Sequence, residues 1–163
     1  MDLFEEWLNK KDESIWVKRA LTDSSYKNVD QSLKEKNNYI NSDLATCGDA
    51  VIKLCYVEIL LDKCEKLTKE KEKYESDEYL VRYVASHYNI LEKLYYDAET
   101  KSKNNYKDYN YEKKPNKNPR KYIATAVEAM IGAIYKETND LDSIIELLKT
   151  WMEFEPKDSN ESE

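Results

Sequence analysis

Apolar positions recur at spacings of three and four along most of the chain, the periodicity of helices that bury one face. From Ser42 or Asp43 to about Lys63, the residues Leu44, Cys47, Val51, Leu54, Cys55 and Ile59 form the clearest such stripe and predict a long helix. A second runs from Arg120 to Lys136 on Ile123, Val127, Met130, Ile131 and Ile134. A third, over 140–153, is opened by the capping signal NDLD and carries Leu141, Ile144, Ile145, Leu148 and Met152. Residues 3–10 and 14–21 predict short amphipathic helices, the second with Ser14 as N-cap. The stretch 77–96 predicts helix in two pieces, with Ser86 capping the second. Between these lie LTDSSYKN (21–28), which breaks the pattern, a polar segment at 29–41, and the sign-alternating run 62–78, expected to be a solvated helix end or connection. Residues 99–119, rich in Asn, Lys and Tyr, predict a loop of a length that is usually functional or disordered.

Composition agrees with an all-α fold. Only two glycines and three prolines occur in 163 residues, too few turn residues for the hairpins of a β fold. Apolar residues at 40% suffice for one core, and 36% charged residues imply a strongly solvated surface. One domain is expected over 1–155, followed by an acidic tail at 156–163. No apolar run is long enough for a membrane span, and the start MDLFEEWLNKK does not suit a signal peptide. Cys47, Cys55 and Cys64, with a single histidine, give neither a disulfide scaffold nor a zinc site and fit a reducing, cytoplasmic setting. Charge is uneven. Residues 101–121 carry eight Lys/Arg against two Asp/Glu, a balance of +6 in a chain of −7, which leaves −13 for the remainder. One basic segment on an acidic body points to a local contact device.

Both glycines fall inside the two strongest helices, where glycine costs about 1 kcal/mol relative to alanine. Close packing of the two helices at Gly48 and Gly132 accounts for that. Asp49 follows Gly48, Glu128 precedes Gly132 by one turn, and both acids lie in otherwise apolar stretches, CGDAVIKL and AVEAMIGAIY. A carboxylate near a core is normally paired, hydrogen-bonded or metal-bound. The residues alone leave two possibilities: a Mg²⁺ site that supports phosphodiester hydrolysis, or a surface acid paired with a neighbour, such as Asp49 with Lys53 at i+4.

CGDAVIKL followed by VEAMIGAIY resembles the two signature helices of the ribonuclease III family. ALTDSSYKN (20–28) is similar to the family's entry motif and YVASHYNILEKL (83–94) to its V-S-x-x-x-L helix. In order, these segments span roughly 15–150, and no double-stranded-RNA-binding domain follows them. Ser42, Ala45 and Thr125 stand where the family usually has further acids, and Thr46 where it commonly has an aromatic residue at the dimer contact. An alanine at 45, the run Thr125-Ala126-Val127-Glu128-Ala129 and a basic connection before it resemble the Mini-III branch, which lacks the RNA-binding domain.

The resemblance implies a helical homodimer that cleaves double-stranded RNA, such as structured precursor or ribosomal RNA, to 5′-phosphate and 3′-hydroxyl ends. It implies Mg²⁺, with Mn²⁺ as a substitute, on Asp49 and Glu128, and no small-molecule cofactor. RNA contacts are then expected from Lys101, Lys103, Lys113, Lys114, Lys117, Arg120 and Lys121, since A-form RNA is recognised through phosphates and shape. Ser42, Thr125 and His87 are auxiliary candidates; for His87 the plainer reading is an exposed residue at a helix start. The alternative is a relative without activity, an RNA-binding or ribosome-associated protein.

Overall fold

Two long antiparallel helices in contact at their backbones organise the chain. The structure, a computed structural model, describes residues 1–33, 37–97 and 121–156. Its helices are α1 (Leu3–Leu8), α2 (Ile15–Ala20), α3 (Ser42–Leu60), α4 (Leu67–Glu75), α5 (residues 77–88), α6 (Lys121–Thr138) and α7 (Leu141–Trp151). Short 3₁₀ turns occupy Ser24–Asn28, Gln31–Leu33, Asn37–Tyr39 and Ile90–Glu92. Among the described residues there is no strand, only a single bridge between Thr22 and Tyr95. The fold is all-α.

The expected packing of the glycines is what joins α3 to α6. A Cβ built on Gly48 would lie 1.6 Å from the carbonyl oxygen of Glu128 and 2.9 Å from the nitrogen of Gly132; one on Gly132 would lie 2.5 Å from the carbonyl oxygen of Leu44. Residues advance along one helix as they recede along the other, so Asp49 is carried to the level of Glu128. The rest of α6 is apolar nearly all round because it is surrounded. Ile123, Val127, Met130, Ile131 and Ile134 are fully buried, with α2 on one side and α5 on another.

Local signals set most helix ends. Ser14 accepts from the backbone N–H of Val17 and Asp140 from that of Ser143, as their capping patterns predict. Asn139, at φ 51°, closes α6 in the left-handed conformation that asparagine tolerates. Trp151, Phe4 and Tyr88 fasten α7 to the N-terminus. The Phe4 ring lies 4.4 Å from that of Tyr88, the Trp151 indole N–H donates to the Tyr88 hydroxyl at 2.9 Å, and that hydroxyl donates to Asp2.

Three expectations are corrected. Ser86 caps nothing: residues 77–88 form one helix with a π-helical stretch at Leu80–Ala85, and the Ser86 hydroxyl donates back to the carbonyl of Arg82. Leu54 and Cys47 lie at the edge of the buried stripe. At 100° per residue they stand only about 60° and 40° round the helix from Val51, yet Cys47 is no more than partly buried and Leu54 is 47% exposed. The run 62–78 contains a real helix, α4, whose Tyr74 stacks at 5.8 Å on Tyr56 of α3.

Candidate active site

Asp49 leaves α3 one residue beyond its closest approach to α6, half-exposed, and its carboxylate accepts from the Lys53 ammonium at 2.9 Å. Glu128 leaves α6 where its own carbonyl lies against Gly48, so its side chain starts from the floor of the contact. Among the described residues no hydrogen bond or ion pair reaches the Glu128 carboxylate. Burial first, then the negative charges of Asp49 and Asp77, push its pKa up to about 8, against the opposing pull of Lys121 and Lys53. Asp77, at the start of α5, is itself pushed upward by burial and by Asp49. Three carboxyls from three helices thus share one electrostatic neighbourhood, with Lys53 and Lys121 as the cations that act on it.

Asp49 and Glu128 were both legible as candidates; Asp77 was not. It stands within the sign-alternating run 62–78, and its local role is ordinary: Ser76 accepts from the N–H of Tyr79, and Asp77 and Glu78 are the acids of that first turn. Only the packing of α5 against α6 brings it to Glu128.

The remaining candidates divide. Lys121 is exposed at the first position of α6, and its charge reaches both Glu128 and Asp77. Thr125, one turn before Glu128, donates to the carbonyl of Lys121 at 3.1 Å. Ser42 is exposed on the Asp49 face of α3, but seven residues away, about 10 Å along the axis. His87 is exposed with its ring stacked 3.9 Å from that of Phe154, a contact separate from the carboxyls. Lys101, Lys103, Lys113, Lys114, Lys117 and Arg120 lie outside the described residues.

The donor set suits a hydrated hard cation. Among the described residues no three His, Cys, Asp or Glu gather tightly enough to enclose a metal, which excludes a closed cage built from them. Mg²⁺ takes instead one or two carboxylates and completes its shell with water and substrate oxygens. A half-buried Glu128 with like charges beside it and no partner is an arrangement that a dication relieves.

Residues 42–139, more than half of the chain, match the family model of the ribonuclease III domain. Two solved structures of the nuclease domain of ribonuclease III from Campylobacter jejuni share the fold. Each is 22% identical with a TM-score of 0.61 over 91% of this chain, and the alignments cover 90% and 88% of those chains. One of the two concerns structural flexibility in a region involved in dimer formation of that nuclease domain. No curated protein is significantly similar in sequence. With the signature helices paired at Gly48 and Gly132, and with the family model covering both, the chain belongs to the ribonuclease III domain family.

Proposed function

We propose that the protein is a Mg²⁺-dependent endoribonuclease of the Mini-III kind, which cuts double-stranded RNA as a homodimer and leaves 5′-phosphate and 3′-hydroxyl ends. The observation that carries this is the unpartnered, half-buried Glu128 held across the glycine contact from Asp49. Asp49 and Glu128 would hold the ion. Bound there, Mg²⁺ supplies Lewis acidity toward a phosphodiester and toward the water that attacks it. Lys121 steadies the scissile phosphate from the open end of α6, and Thr125 presents its hydroxyl lone pairs on the same face. Lysines of 101–117 and Arg120 neutralise flanking phosphates, with a steep salt dependence as the consequence. Structured precursor RNA is the substrate class, and the cytoplasm, where free thiols persist, is the setting.

An exposed apolar stripe supports the dimer. Ala50, Leu54 and Val57 along α3, with Leu61 just past its end, recur every three or four residues; the three on the helix lie on a different face from Asp49, and Leu54 and Leu61 are about half exposed. One observation favours a second reading, a non-catalytic duplex-binding or ribosome-associated protein: the Lys53 ammonium already occupies Asp49. Incubating the protein with a labelled RNA duplex in Mg²⁺ or in EDTA separates the two. Metal-dependent products support the enzyme; a duplex bound and left intact in Mg²⁺ supports the second reading.

A further inference from the structure

Lys53 stands four residues after Asp49 on α3, its ammonium 2.9 Å from the Asp49 carboxylate, with the two side chains 51% and 39% exposed. Three carboxylates act on its charge: Asp49 first, then Glu75 and Glu128. Glu75 is already committed. Its two oxygens accept from the Lys71 ammonium at 2.8 and 3.0 Å, in a pair whose side chains are only 17% and 11% exposed. On α3 itself the positions one turn from Lys53 are Asp49, Ala50, Tyr56 and Val57, so Asp49 is the single acid within that reach.

The ion proposed above needs the place that Lys53 occupies. An ammonium and a dication on one carboxylate repel each other, and an exposed i,i+4 pair holds its lysine weakly. Lys53 therefore leaves Asp49 when Asp49 and Glu128 turn to an ion, and its compact charge swings on a flexible stem rooted one turn away. With Glu75 held by Lys71, its next anion comes from outside the chain. A phosphate on the open positions of a hydrated Mg²⁺ supplies one, with its oxygens beside the carboxylate that Lys53 has left. Lys121 acts on the same cluster from α6, so a phosphate there meets ammonium groups from both long helices.

We infer that Lys53 is a phosphate-binding residue of the duplex site with two alternative partners: Asp49 while the site is empty, and a phosphate oxygen of the RNA once Asp49 serves a dication. The inference rests on the function proposed above and adds a coupling to it. Duplex RNA keeps Lys53 off Asp49 and so favours the ion, and by reciprocity the ion favours the duplex. Asparagine at position 49 releases Lys53 without any metal, which gives the exchange a metal-free test.

The test follows a fluorescent RNA duplex by anisotropy across a salt series, with the parent chain, Lys53→Met, Asp49→Asn and the double variant in EDTA. The parent and Lys53→Met are measured again in saturating Ca²⁺, which also takes carboxylate oxygens, with the probe's integrity checked on a gel. Both positions are partly exposed, and far-UV dichroism checks that each variant keeps its helices. Lys53→Met removes one charge in every setting, so the difference between settings reports the contact. In EDTA, its effect on the parent is expected to stay within about twofold, because the ammonium is tied to Asp49. In the Asp49→Asn background, and in Ca²⁺, it should weaken binding about fivefold and lower the slope of log affinity against log salt by about one. An equal effect in all three settings, large or small, would overturn the exchange. So would Ca²⁺ that tightens the duplex equally in the parent and in Lys53→Met, an outcome that leaves the ion in place and removes the contact. A loss confined to the Asp49→Asn background, with Ca²⁺ changing nothing in the parent, would support Lys53 as a phosphate ligand while the metal function proposed for Asp49 falls.

Discussion

Gly48 of α3 rests against the backbone carbonyl of Glu128 on α6, so closely that a Cβ would lie 1.6 Å from the oxygen. Helix propensity alone makes Gly48→Ala stabilising by about 1 kcal/mol. The contact reverses the sign, because the obstacle is backbone rather than the end of a flexible side chain. Gly48→Ala should destabilise by at least about 3 kcal/mol in urea unfolding and weaken divalent binding with it, since separating the helices separates Asp49 from Glu128. A neutral or stabilising effect would show that the helices do not approach as described.

Titration of Glu128 gives a stability curve of defined sign. Its pKa rises from 4.5 to about 8 in the folded protein, so the folded state retains a proton that the unfolded chain releases between these values. Without metal, stability therefore falls as pH rises from about 4.5 to 8, by on the order of 2 kcal/mol once partial exposure is allowed for. Mg²⁺ favours the ionised form and should raise Tm at pH 8 but hardly at pH 5. Scanning calorimetry of the protein and of Glu128→Gln checks this. The variant should lose both the slope and the Mg²⁺ response, and Asp77→Asn should move the fall to lower pH.

Lys53 competes with a cation for Asp49. Their pair is exposed and spaced i,i+4, so Lys53→Met should change stability by less than about 0.5 kcal/mol. Divalent affinity measured by calorimetry should rise several-fold as the ammonium is removed. A fall in affinity would place the ion elsewhere.

The stripe on α3 predicts assembly. Leu54→Glu and Leu61→Glu put charge at positions already about half exposed in the single chain, so helix content should be unchanged while sedimentation shifts from dimer to monomer. A dimer that persists in the double variant would locate the interface on another face.

How legible the site was follows from how local each signal is. The helices of residues 42–60 and 121–138 declared themselves because a buried face repeats with the helical period, and Gly48 and Gly132 because mid-helix glycine is costly without a close neighbour. The same period misassigned Leu54: residues three or four apart span a wide arc, and sequence does not say where the arc's edge meets solvent. Ser86 looks like a cap in sequence, yet a serine hydroxyl that caps one helix can equally donate to the carbonyl four residues back within another, as it does here to Arg82. Asp77 had no local signal, since its neighbours along the chain are charges of both signs and its neighbours in space come from α3 and α6.

The most direct measurement is Mn²⁺ binding, followed by paramagnetic resonance, to the protein and to Asp49→Asn and Glu128→Gln. Convergence of the two carboxyls on one ion predicts a bound signal in the parent chain, weakened at least tenfold in each single variant, with no further large loss in the double variant. Equal affinity in all four proteins, or losses that simply add, would contradict a shared site.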